Sequence, residues 1–86
     1  MKHTASKRFW KCLDALPADI QALAHRNFAL LKIDPAHPSL HLKTVGNGQY
    51  HSIRVGLYYR ALGLPVPVGV HWFWIGTHGD YDKLVG

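Results

Sequence analysis

The chain has 86 residues, a length that holds one domain over residues 1–86 and excludes two. Its 48% hydrophobic and 12% aromatic content is too apolar for a disordered segment. Ten Lys and Arg against five Asp, with no Glu, give a formal charge of +5 before any of seven His is protonated, a balance that favours an anionic partner, nucleic acid first and an acidic protein second.

Lys2, Lys7 and Arg8 open the chain without an apolar stretch long enough for a signal peptide or a membrane span, so the cytoplasm is the expected compartment. From Ser6 to Leu16, Phe9, Cys12, Leu13 and Leu16 recur at helical spacing, with Lys7, Arg8, Lys11 and Asp14 on the other side. The pattern predicts an amphipathic first helix. Cys12 lies on its apolar side; as the single cysteine it excludes an intramolecular disulfide and a cysteine-based zinc site.

Pro17-Ala18-Asp19 has the form of a new helix start, with proline in the first turn and an acid at the positive end of the dipole. A second helix is predicted from there to Lys32, its apolar face formed by Ile20, Leu23, Ala24, Phe28 and Leu31. Asp34-Pro35 and His37-Pro38 stop it. The histidines at 37 and 41 flank Pro38, which denies them the one-turn helical geometry of a His-x-x-x-His metal pair, and no metal or other cofactor is expected.

Beyond Ser39 short runs of β character alternate with turn residues. Strands are predicted at about 40–45, 50–56, 58–62 and 68–76, with a hairpin at Gly46-Asn47-Gly48 and a turn over Gly63-Leu64-Pro65-Val66-Pro67. Two N-terminal helices packed on one face of a small antiparallel β-sheet make an α+β fold. Alternation puts Tyr50, Ser52 and Arg54 on one sheet face and His51, Ile53 and Val55 on the other. In the last strand it separates His71, Phe73 and Ile75 from Trp72, Trp74 and Gly76.

The sheet face without helices is free to bind a ligand, and Arg54 and Arg60 could both reach it. Past the aromatic strand come Thr77, His78, Asp80 and Tyr81, read as a turn. His78 has the intrinsic pKa of a proton-transfer group, and an ordinary turn histidine is the competing reading.

Lys43, the run Ser52 to Leu62 (SIRVGLYYRAL) and the run Trp72 to Leu84 (WFWIGTHGDYDKL) together resemble the RelE/ParE family of toxins from bacterial type II toxin–antitoxin systems. The resemblance covers nearly the whole chain. It implies a cytoplasmic toxin with a cognate antitoxin protein as partner, and it leaves two activities open. One is a metal-independent mRNA endoribonuclease working on the ribosome by attack of a ribose 2′-hydroxyl on its own 3′-phosphate. The other is a ParE-like inhibitor of DNA gyrase; a degenerate member acting only as a protein-binding module is a further alternative.

Basic residues on the sheet and a C-terminal His and Tyr favour the nuclease. On that resemblance Arg54 and Arg60 take the scissile phosphate, His78 is the general acid or base, and Tyr81 assists by proton transfer or by stacking on a base. Lys43 and His51 are the expected RNA-binding residues, and Asp80 is a candidate to orient His78. Trp72 and Trp74 either stack bases or lie buried. Many relatives begin with a strand; residues 1–5 (MKHTA) look too short and polar for one, so the sheet is expected to lack that edge. The segment before Tyr50 is also poor in the Lys and Arg that would dock a ribosome.

Overall fold

A computed structural model describes residues 2–85. The elements run β1 (Lys2–Ala5), α1 (Lys7–Asp14), α2 (Ala18–Ile33), a one-turn 3-10 helix (Pro38–Leu40), β2 (Lys43–Val45), β3 (Tyr50–Val55), β4 (Tyr59–Val66), β5 (Gly69–Thr77) and α3 (His78–Val85). The five strands form one sheet in the order β1-β5-β4-β3-β2, antiparallel except for β1, which runs parallel to β5. The α+β class and the two N-terminal helices are as the sequence predicts. Among the described residues no helix is long and apolar enough to cross a membrane.

Helix α1 starts where Ser6 accepts the Phe9 N–H at 3.1 Å, a side-chain cap on an otherwise orphan donor. It buries Phe9 and Leu13. Helix α2 starts behind Pro17 with Asp19 in its first turn and ends before Asp34-Pro35, contributing Ala24 and Leu31 to the core. Together with Leu40, Ile53, Val55, Ala61, Val70, Trp72 and Ile75 these side chains fill one face of the sheet.

Four features depart from the sequence reading. The first is β1. His3 and Ala5 turn partly inward, Lys2 N–H donates to Val68 O at 2.8 Å and Ser6 N–H to Trp72 O at 2.9 Å, so a short polar segment is held as an edge strand by its neighbour's backbone. The second is β4, which runs through Pro65 to Val66. The β3 ladder stops at the pair His51–Gly63, so the missing proline N–H falls outside it and costs no bond there.

The third is a bulge. Leu62 pairs with Trp74 and Gly63 with Trp72, leaving Phe73 as an extra residue in β5 that reverses the facing of everything after it. Trp72 therefore points toward the helices with Ile75, and Trp74 points the other way with Leu62. Gly63 makes room: a Cβ there would stand 2.4 Å from Val70 Cγ1 and 2.9 Å from Trp72 Cε3. The fourth is α3, which packs Tyr81 onto Leu62 and Trp74, so the second sheet face carries a helix of its own.

Both tryptophans are buried, as burial of the residue type favours, and neither offers its ring to a base. Trp72 Nε1 donates to His3 Nδ1 at 3.1 Å, which requires that nitrogen to be unprotonated. Burial, with the nearby charges of Lys32 and His51, holds His3 below the ordinary value of 6.5. A lowered folded value means that the unfolded chain takes the proton first; the stabilisation is intact above about pH 6.5 and is lost as pH falls toward the folded value. Between about pH 7.5 and pH 5.5 the Tm of the parent is expected to fall by more than that of His3→Asn, which thermal melts at both pH values will show. Equal falls would remove His3 from the account.

Candidate active site

Antiparallel register sets Arg54 opposite Arg60, and Arg60 opposite Gly76, so the three share the sheet face that bears α3. Ser52 lies on the same face beside Leu62 and Trp74. Gly76 takes part in shaping it, because the Trp74 ring occupies the space a side chain would need: a Cβ at 76 would be 2.5 Å from Trp74 Cζ2.

Arg60 leans toward α3, its Cζ 5.3 Å from the centre of the Tyr81 ring. That is cation–π distance. Tyr81 is 4% exposed, so the guanidinium is held by a side chain that itself cannot move far. Arg60 Nη1 is buried without a hydrogen-bond partner among the described residues, as is the Ser52 hydroxyl on the same face. Donors left buried and unpaired are rare and mark either strain or the seat of a missing acceptor.

The polar segment after β5 is the start of a helix. Thr77 caps it, its hydroxyl accepting the Asp80 N–H at 3.2 Å, and His78 N–H donates to Tyr58 O at 2.7 Å, which fixes the helix end to the β3–β4 connection. His78 and Tyr81 stand three positions apart on one side of α3, ring centres 5.6 Å apart. His78 is half-exposed, with Nδ1 3.8 Å from Asp82 Oδ1. The carboxylate beside His78 is thus Asp82, one helical turn on, and not Asp80, whose backbone engages Thr77. Asp82 escapes a turn reading of this segment; the signal that finds it is Thr77 followed by an acid three positions on, the mark of a helix start.

Arg60, Tyr81 and His78 thus form one contiguous cluster. Arg54 shares their face by register, yet its guanidinium turns to the outer side of β3, with Nε donating to Gly56 O at 3.1 Å and Nη1 to His41 Nε2 at 3.3 Å. Lys43 is exposed on the edge strand β2, paired in register with Ser52 and so on the same face. His51 lies on the opposite face, half-buried near Pro65 and Val68, and the sheet separates it from Arg60. Tyr81, being buried, has no free face for a base.

Among the described residues no Lys or Arg has a carboxylate within ion-pair distance, the single contact of that kind being the one between His78 and Asp82.

No family model and no curated protein matches this sequence. Solved structures do. A chain of the RelB–RelE antitoxin–toxin complex from Methanococcus jannaschii superposes with a TM-score of 0.74 at 18% identity, covering 96% of this chain and 99% of that one. A copper-bound mutant toxin from Helicobacter pylori gives 0.62 at 16% identity, covering 93% and 97%, and the conserved hypothetical protein HP0892 from Helicobacter pylori gives 0.53 at 13%, covering 94% and 98%. The chain has the RelE-like toxin fold.

Proposed function

We propose that this chain is the toxin of a type II toxin–antitoxin pair and that it acts as a metal-independent endoribonuclease on messenger RNA held by the ribosome. The observation that carries the reading is the buried, unpartnered Nη1 of Arg60 beside Tyr81, with His78 next to that ring. An orphaned cationic donor and a half-exposed imidazole set against one ring suit a phosphodiester, whose phosphate supplies the acceptor and whose cleavage needs proton transfer.

In the reaction the ribose 2′-oxygen bonds to the adjacent phosphorus and the bond from phosphorus to the 5′-oxygen breaks, leaving a 2′,3′-cyclic phosphate and a 5′-hydroxyl. One proton leaves the 2′-hydroxyl and one reaches the departing 5′-oxygen. Arg60 binds the phosphate and neutralises the charge that grows on it in the transition state. His78 takes or gives a proton, its Nδ1 standing 3.8 Å from Asp82 Oδ1. Tyr81 is the positioning residue that holds the other two at a fixed separation. Lys43 adds positive charge along the path of the strand. The cognate antitoxin is the protein partner, and the cytoplasm, where ribosomes work, is the compartment.

Purified protein incubated with translating ribosomes, followed by primer extension on the message, tests this. His78→Ala is expected to slow cleavage by about 10²–10⁴-fold. Absence of cuts, or cuts indifferent to His78 and Arg60, overturns the nuclease; loss of gyrase supercoiling with RNA left intact would replace it with the gyrase-inhibitor reading.

A further inference from the structure

Outside the Arg60 cluster, a second group of polar side chains faces a cleft at the outer edge of β3, where β2 has not yet begun. Asn27 from α2, Ser39 and His41 from the 3-10 turn, Arg54 from β3, and Gly56 and Leu57 from the following turn line a cleft of about 370 Å³. Among the described residues no carboxylate lines it. Arg54 is fixed there by two anchors, Gly56 O on Nε and His41 Nε2 on Nη1, which set the plane of the guanidinium and leave its other N–H groups uncommitted.

His41 adopts a left-handed backbone (φ 47°), unusual for a residue other than glycine, and that conformation ends the 3-10 turn on which its ring meets Arg54. The backbone around Arg54 is secured as well: Asn27 Nδ2 donates to Arg54 O at 3.1 Å, tying α2 to this strand. Among the described residues no carboxylate pairs with Arg54. A guanidinium with a set plane and free parallel donors is the form that recognises phosphate in two-point fashion.

We infer that the Arg54–His41 cleft is a phosphate subsite distinct from the Arg60–His78 cluster, and that it holds a neighbouring phosphate of the same RNA strand. Register places Arg54 directly across from Arg60, while the two guanidinium groups diverge, one toward α3 and the other toward the edge. A strand whose scissile phosphate sits on Arg60 thus meets Arg54 at another backbone position. Arg54 is then a binding residue and His41 the positioning residue that sets its plane. The ligand's identity as RNA rests on the nuclease reading; the phosphate site itself does not.

Two titrations of the intact protein test it. In the first, inorganic phosphate is added and amide shifts are followed by NMR: the residues at 41, 54 and 56 are expected to move together and to saturate, and in Arg54→Lys, which keeps the charge and loses the fork, the saturable response is lost. In the second, a 2′-O-methyl RNA oligonucleotide, which cannot be cleaved, is titrated by fluorescence anisotropy. His41→Ala and Arg54→Lys are each expected to weaken it about tenfold, within the range for a charge-assisted contact, whereas Lys11→Gln, which removes a charge from α1, weakens it less than threefold. If phosphate moves no amide at the cleft, or if Lys11→Gln and Arg54→Lys weaken the oligonucleotide equally, the subsite is absent, and this result leaves the cleavage test of His78 untouched. Phosphate binding at the cleft without any effect of His41→Ala or Arg54→Lys on the oligonucleotide would overturn the assignment to the RNA strand. A folded His41→Ala that binds both probes like the parent removes His41 from the site.

Discussion

Arg60→Met is expected to lower cleavage by about 10²–10³-fold while leaving the domain at least as stable as the parent. The two halves of this result come from one geometry. Nη1 of Arg60 is buried with no partner among the described residues, so the folded chain bears part of the desolvation penalty of a charged donor, about 1–3 kcal/mol for a fully buried group and less here because the side chain is only half-buried. Against it stands the contact with the Tyr81 ring, about 0.5–1 kcal/mol. Methionine keeps the stem packed and removes the orphan donor. Primer extension on translating ribosomes and a thermal melt measure both halves. Cleavage within tenfold of the parent would remove Arg60 from the chemistry, and a fall of many degrees in Tm would make it a structural residue. A site that binds substrate with groups the free fold leaves unsatisfied is expected to gain stability when they are removed.

Trp72→Ala is the substitution with the largest expected effect on stability. Its ring is 1% exposed, meets Phe28 edge-on with centres 5.3 Å apart, lies over Gly63 and donates Nε1–H to His3. Truncating such a side chain costs about 3–5 kcal/mol, a large share of the roughly 5–15 kcal/mol that holds a domain together. In a chain this short each kcal/mol moves Tm by about 4–8 °C, so a fall of at least about 12 °C is expected. The loss should not be uniform. Ser6 N–H bonds to Trp72 O and His3 to its indole, so the amides of β1 and Ser6 are expected to exchange with solvent sooner than those of β3 and β4. A fall below about 5 °C, or protection of β1 equal to that of the central strands, would contradict this account.

Both expectations depend on facing, and facing is where sequence and structure part. The two N-terminal helices and the β2–β3 hairpin were legible because their signals are local: the periodic Phe9, Leu13 and Leu16, the proline before Asp19, and Gly46-Asn47-Gly48, all three with positive φ. The alternation of β3 was legible for the same reason, and it gave the face shared by Ser52 and Arg54. In β5 the same rule failed, since the bulge at Phe73 depends on how β5 meets β4, with Trp72 settling over Gly63 and Trp74 over Gly76. No property of the strand's own residues announces that.

The candidate site divides along the same line. Arg60, His78 and Tyr81 were readable as residue types suited to phosphate and proton chemistry, and the resemblance to RelE/ParE toxins picked them from among the other cations and histidines. Their convergence was not readable, because β4 and α3 meet only through the sheet and the burial of Tyr81 against Leu62 and Trp74. The asymmetry between Arg54 and Arg60 was equally hidden. Identical side chains on paired positions diverge since one has Tyr81 beside it and the other has His41 and the Gly56 carbonyl.

By itself, then, the sequence determined an α+β domain of high positive charge, its two leading helices, its hairpin and the inventory of groups able to act on a phosphodiester. These follow from short-range periodicity and composition, which chain neighbours alone decide. The tertiary structure decided that residues 2–5 are a strand, that residues 78–85 are a helix covering the second face, which tryptophan points where, and which of the predicted residues stand side by side. Each of these is set by backbone pairing and burial between segments far apart in the chain, an interaction that no local window contains.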